Sequence, residues 1–240
     1  MLEAALWGLV TAGSLLVGAG IALVLRPGHR LVGLTIAFGA GALVAAVAYE
    51  LVLEAFETST RGAAAGFTAG ALAFYVGDWL IDRRGGHERK SMEPASGLSG
   101  GAAAIVLGTV LDGIPESFVL GASLQTDGVV PVAVVVGVFV SNVPEALSAT
   151  TGLRESGWAA GWLLAMWTAV VVVSAAAAAG GWWALDSMAA ANGAFALGFA
   201  GGALLVMLSD TLFPEAIALG GREAGLLTAL GFAVGFSLSA

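Results

Sequence analysis

The sequence predicts an all-α integral membrane protein, with eight transmembrane helices in a 3+2+3 inverted-repeat arrangement forming one domain over residues 1–240. Three observations predict it. The chain is 58% hydrophobic and 11% charged, with 36 glycines and a mean hydropathy of +0.93, a balance that suits a bilayer and not water. Apolar runs near the roughly 20 residues needed to cross the hydrocarbon recur between short polar connections. Parts of the first half return in the second half.

Taken in order, the spans fall at about 5–25, 31–56, 62–82, 98–124, 129–152, 157–180, 194–217 and 224–240. The first has no basic residue ahead of it and no clear small-residue cleavage site before Arg26-Pro27, so it is expected to be retained and not removed as a signal peptide. The second carries Glu50 and Glu54, and the third has Asp78 close to its end. The long polar loop 83–97 follows. The fourth holds Asp112-Gly-Ile-Pro-Glu-Ser117 and the fifth Ser141-Asn-Val-Pro-Glu-Ala146. No acid interrupts the sixth, whereas the seventh contains Ser209-Asp210 and Pro214-Glu215. The eighth is the shortest.

Charge placement narrows the function. All nine Lys and Arg lie in the polar connections, where Glu3, Glu57, Asp82, Glu88, Glu93, Asp127, Glu155, Asp186 and Glu223 balance them. The net charge of −8 therefore resides in Glu50, Glu54, Asp78, Asp112, Glu116, Glu145, Asp210 and Glu215, all inside apolar segments with no basic residue beside them. A carboxylate at bilayer depth costs several kcal/mol unless it is protonated or meets a cation. The absence of cysteine excludes disulfides and thiolate metal sites. Basic residues set the orientation. Arg26, Arg30, Arg83, Arg84, Arg89, Lys90, Arg154 and Arg222 lie on one side of the expected topology and only Arg61 on the other. Loop 83–97 is thus expected in the cytoplasm and both termini outside it, in the plasma membrane.

The repetition is specific. Residues 41–55 resemble residues 202–216 at an offset of 161, and Gly66-Phe-Thr-Ala-Gly70 resembles Gly231-Phe-Ala-Val-Gly235. Spans 2 and 3 correspond to 7 and 8, and span 4 to span 5. Each pair is an odd number of spans apart, so partners run in opposite directions, as in secondary transporters with a midplane site.

Residues four apart on a helix share a face. Asp112 and Glu116 project together, as do Ser141 and Glu145, with Asn142 three residues before Glu145. Pro115 and Pro144 cannot donate to the carbonyls of Leu111 and Val140, which frees two main-chain oxygens. Carboxylates, an amide, a hydroxyl and freed carbonyls form an oxygen-rich donor set suited to a divalent cation. With Glu50 and Glu54 toward the outer side and Asp210 and Glu215 toward the inner, the acids are expected to form a ladder across the bilayer.

These two motifs resemble the fourth and fifth helices of the ZIP (Zrt/Irt-like) metal transporters, whose signature reads roughly His-Asn-x-Pro-Glu-Gly and then a polar pair before x-Pro-Glu-Gly. Span count, termini, the loop between spans 3 and 4 and the 3+2+3 repeat are similar over the whole chain. The resemblance implies metal positions at Asp112, Gly113 and Glu116, then Ser141, Asn142 and Glu145. Bacterial members also carry acidic motifs similar to Ser209-Asp210 and Pro214-Glu215. The chain departs from the pattern at Asp112, where His is usual, at Gly113, where Asn is frequent, and at Ser117 and Ala146, which replace glycines.

The function expected is transport of a divalent metal (zinc, iron or manganese) toward the cytoplasm, with Asp112, Glu116, Ser141, Asn142, Glu145, Asp210 and Glu50 as metal-binding residues. No ATP-binding loop is present, so an ion gradient or coupled protons would drive it. The metal is cargo and no prosthetic group is expected. Partners are the divalent ion and the lipid bilayer, with a homodimer left open and no nucleic acid. An intramembrane enzyme fails on inventory, because His29 and His87, the chain's two histidines, both lie in loops. A degenerate relative acting as a metal sensor or scaffold, or a cation channel, stays open at this stage.

Overall fold

The computed structural model describes residues 1–25, 27–83, 101–186 and 190–239, and the regular elements among them are all helical. They are α1 (Leu2–Val24), α2 (His29–Ala46), a π-helical stretch (Val47–Leu53), α3 (Glu54–Thr58), α4 (Thr60–Asp82), α5 (Gly101–Asp127), α6 (Val132–Glu155), α7 (Ala160–Asp186) and α8 (Ala190–Met207). A second π-helical stretch (Leu208–Leu212), α9 (Phe213–Gly220), a 3-10 turn (Gly221–Glu223) and α10 (Ala224–Ser239) complete the chain. The cytoplasmic placement expected for loop 83–97 falls almost wholly on residues 84–97, outside the described residues, as do Arg26 and residues 98–100 of the fourth expected span.

Local chemistry sets the breaks. Ser59 caps α4, its Oγ accepting a hydrogen bond from the backbone N–H of Gly62 at 3.2 Å, which satisfies one of the donors that a helix start leaves open. Gly157 (φ 92°) turns the chain between α6 and α7, and Gly221 (φ 66°) turns it after α9. Both need the left-handed region that glycine enters without a Cβ penalty.

Six stretches among the described residues are long and apolar enough to cross a membrane: Leu2–Val24, His29–Thr58, Thr60–Asp82, Val132–Glu155, Ala160–Asp186 and Gly193–Ser239. The last includes most of α8, then α9 and α10. Only 22% of the apolar window of α4 is buried, and Leu72, Tyr75, Val76, Trp79 and Leu80 stand exposed along it. Meanwhile Asp78, Asp112, Glu116, Asn142 and Glu145 are buried. In water this would leave an apolar exterior far larger than soluble monomers carry. Apolar outside and carboxylates inside is the arrangement of a membrane protein.

Helix α2 packs against α10 and α6, α4 against α8, α1 against α6 and α7, and α5 against α7. The 161-residue spacing recurs in these contacts. A Cβ added to Gly41 would lie 2.0 Å from the carbonyl oxygen of Thr228, and one added to Gly202 would lie 2.0 Å from that of Phe67. Likewise Gly231 approaches the Phe38 carbonyl and Gly70 that of Phe199, each within 2 Å of an added Cβ. The α2–α10 and α4–α8 crossings are thus built on pairs of residues 161 apart in sequence. With no hydrophobic drive between helices in lipid, such backbone-to-backbone approach is what holds membrane helices together. The two π-helical stretches also begin at corresponding residues, Val47 and Leu208.

Candidate functional site

Both Pro-Glu motifs lie inside unbroken helices, Pro115 in α5 and Pro144 in α6. One turn of helix separates Asp112 from Glu116, so both reach the same cavity, and α6 presents Asn142 and Glu145 to it. Thr109, Gly113 and Ser117 of α5, Ser174 of α7 and the apolar Ala12, Leu15 and Val138 complete the wall. The cavity's free volume is ≈ 10 Å³, about the space that one water molecule or small ion occupies. Four helices therefore enclose a space the size of a single small ion.

Burial makes the chamber energetically demanding. Asp112, Glu116, Asn142 and Glu145 are 2%, 3%, 5% and 4% exposed. Thr109, Ser117 and Ser174 add hydroxyls to the three carboxylates and the amide in this buried enclosure. No Lys or Arg lines this wall. On its α1 side, Asn142 Nδ2 donates to the Thr11 carbonyl at 3.5 Å, and Thr11 Oγ1 donates to the Trp7 carbonyl at 2.9 Å. Behind α6, the indole N–H of the fully buried Trp167 donates to Thr150 Oγ1 at 2.8 Å, which fixes α7 against α6.

The remaining expected residues are elsewhere. Ser141 is fully buried but absent from the cavity wall. Its hydroxyl donates to the Val138 carbonyl at 3.1 Å, and its backbone faces Gly39 of α2. Glu50 is half-buried within the first π-helical stretch, and Asp210 is exposed within the second. Glu215, at the start of α9, accepts a hydrogen bond from Ser148 Oγ, three residues beyond Glu145 on α6. The structure thus brings Asp112, Glu116, Asn142 and Glu145 together and leaves Ser141, Glu50 and Asp210 outside. Among the described residues, no three or more His, Cys, Asp or Glu side chains converge closely enough to hold a metal ion. Asp112, Glu116 and Glu145 share a wall without closing on one point. The one described histidine, His29, is exposed at the start of α2.

Sequence reasoning missed Thr109, Ser117 and Ser174. Thr109 could have been found from periodicity, since it precedes Asp112 by three residues and Glu116 by seven and so shares their face. Ser174 interrupts the otherwise apolar run from Ala169 to Ala179, a visible signal. Which face of α7 met α5 was not visible. The π-helical stretches around Glu50 and Asp210 had no evident sequence cue, although such turns gather at functional sites.

Comparison of the chain with models of known protein families and with curated proteins finds no match.

Proposed function

We propose that this protein is a ZIP-like transporter of divalent metal cations, with eight membrane spans in a 3+2+3 inverted repeat, moving its cargo toward the cytoplasm. The observation that carries the reading is the single-ion-sized chamber in which Asp112, Glu116 and Glu145 meet Asn142 with no basic residue in the wall. Oxygen donors alone suit hard or borderline divalent ions. The corresponding glycine crossings of α2–α10 and α4–α8 support the repeat. In this reading the mobile unit is the group of helices around the chamber, α1, α5, α6 and α7, shifting against the others to open the site to each side in turn.

Uptake of zinc, manganese or ferrous iron into proteoliposomes loaded with a fluorescent indicator tests the function. Saturable uptake that depends on Glu116 and Glu145 supports a transporter. Metal binding without flux would identify a sensor, and flux that does not saturate a channel. Orientation rests on the basic residues of one side. The chain has no native cysteine, so His87→Cys gives a clean label. Modification by an impermeant reagent from outside intact cells would reverse the direction assigned to transport.

A further inference from the structure

Outside the chamber, the turn between α6 and α7 opens a second cavity. Gly157, Trp158, Ala159 and Trp162 wall an open space of ≈ 290 Å³, near the lower end of the roughly 300–1,000 Å³ that small-molecule sites occupy. Trp158 is half-buried against the apolar cluster that includes Leu153 and Leu163, and Trp162 stands exposed beside it. Their ring centroids are 4.1 Å apart and the rings are tilted by 53°, so the two indoles form a wall and do not close face to face. A cation is fixed beside them. Arg154, in the last turn of α6, is exposed and donates from Nη1 to the Trp158 carbonyl at 2.9 Å. That bond engages one nitrogen, and the guanidinium keeps its charge and further N–H donors for a ligand. Glu155 follows about 100° further round α6 and is not part of the cavity wall. Arg83 differs, since it lies 3.9 Å over the ring of Trp79 and already faces an indole.

We propose that this turn binds one anionic phospholipid, with the phosphate on Arg154 and the first methylenes of a chain against Trp158 and Trp162. The inference goes beyond the transport reading and does not depend on the chamber. Both ends of the ligand are specified. Indole walls suit the boundary between headgroup and acyl chain, where amphipathic rings settle. A guanidinium matches a phosphate through two parallel N–H donors. Charge complementarity then selects the lipid class. The turn belongs to the side on which eight of the nine basic residues are expected, and basic residues at a membrane surface attract anionic lipid. In phosphatidylcholine the choline neutralises the phosphate, whereas in phosphatidylglycerol the negative charge remains.

Native mass spectrometry of the purified full-length protein in detergent, titrated with phosphatidylglycerol or phosphatidylcholine, tests this. One phosphatidylglycerol per chain should be retained in preference to phosphatidylcholine. Arg154→Gln keeps an N–H donor for the Trp158 carbonyl and removes the charge. It should lower the preference about fivefold, the factor that corresponds to about 1 kcal/mol per basic residue at an anionic surface. Arg154→Lys restores the charge and should recover most of the preference. Trp162→Ala should weaken retention of both lipids, because it removes apolar wall and no charge. Arg222→Ala removes an exposed arginine from the same expected side and should change nothing. Equal retention of the two lipids by the parent protein would overturn the proposal and leave a groove for any acyl chain. A loss with Arg222→Ala as large as that with Arg154→Gln would overturn it too, because the preference would then follow total surface charge. Failure of Arg154→Lys to recover the preference would remove the phosphate from position 154.

Discussion

Two sets of carboxylates interrupt the apolar sequence, and the fold treats them differently. Asp112, Glu116 and Glu145 sit in regular α-helix, buried, around one cavity. Glu50 and Asp210 sit within π-helical stretches at the margin of the bundle, half-buried and exposed, and Glu215 follows the second stretch bonded to Ser148. A helical residue buried on every side faces whatever its neighbours enclose, so regular geometry concentrates α5 and α6 acids in one chamber. Glu50 and Asp210 are carried by the π-helical continuations of α2 and α8, no residue of which lines the cavity, and so stand away from the common wall. Similar residues in similar apolar contexts therefore acquire different chemistry from the helix that carries them.

The sharpest way to break this comparison is to remove a chamber carboxylate. Glu116→Ala or Glu145→Ala should reduce metal-dependent uptake by more than about 100-fold, beyond what loss of a mere supporting group costs in metal affinity, with expression unchanged. Full flux in both variants would show that the chamber is not the route. The identity of the donor is next in size. Asp112→His adds an imidazole, and competition experiments should move about tenfold toward zinc and cadmium over manganese. If selectivity does not move, Asp112 is not in contact with the cargo.

The second set should respond more weakly. Ser148→Ala removes a hydrogen bond to Glu215, at a cost of about 0.5–1.5 kcal/mol, readable as a lower midpoint of thermal unfolding in detergent. The smallest effect is expected for Asp210→Asn and Glu50→Gln. Away from the chamber wall they should change uptake less than about twofold, in line with the ±0.5 kcal/mol of surface substitutions. A loss as large as that of Glu116→Ala would place the π-helical acids on the transport route and restore the ladder expected from sequence.

Much of the fold was legible because its causes are local. Apolar runs of sufficient length leave the backbone one way to satisfy its hydrogen bonds in lipid, so helices follow from composition. The four-residue spacing of Asp112 and Glu116 set their common face before any neighbour was known. The glycines at 41, 70, 202 and 231 stand where backbones touch, and the pairs 41/202 and 70/231 share one spacing of 161 residues. Ser141 shows the limit. Its four-residue spacing from Glu145 suggested a shared site, yet α2 comes so close at Gly39 that the Ser141 side turns toward that crossing.

By itself the sequence determined a helical membrane protein with uncompensated acids in its apolar segments and two Pro-Glu motifs as the candidate site. Only the tertiary structure decided which acids share a cavity, that the cavity is about the size of one water molecule, and that Ser174, 58 positions beyond Glu116, lies in its wall. The physical reason is the range of the forces involved. Helix formation depends on hydrogen bonds and side chains a few residues apart. The surroundings of a buried carboxylate depend on contacts between helices far apart in sequence, governed by where glycine permits two backbones to meet.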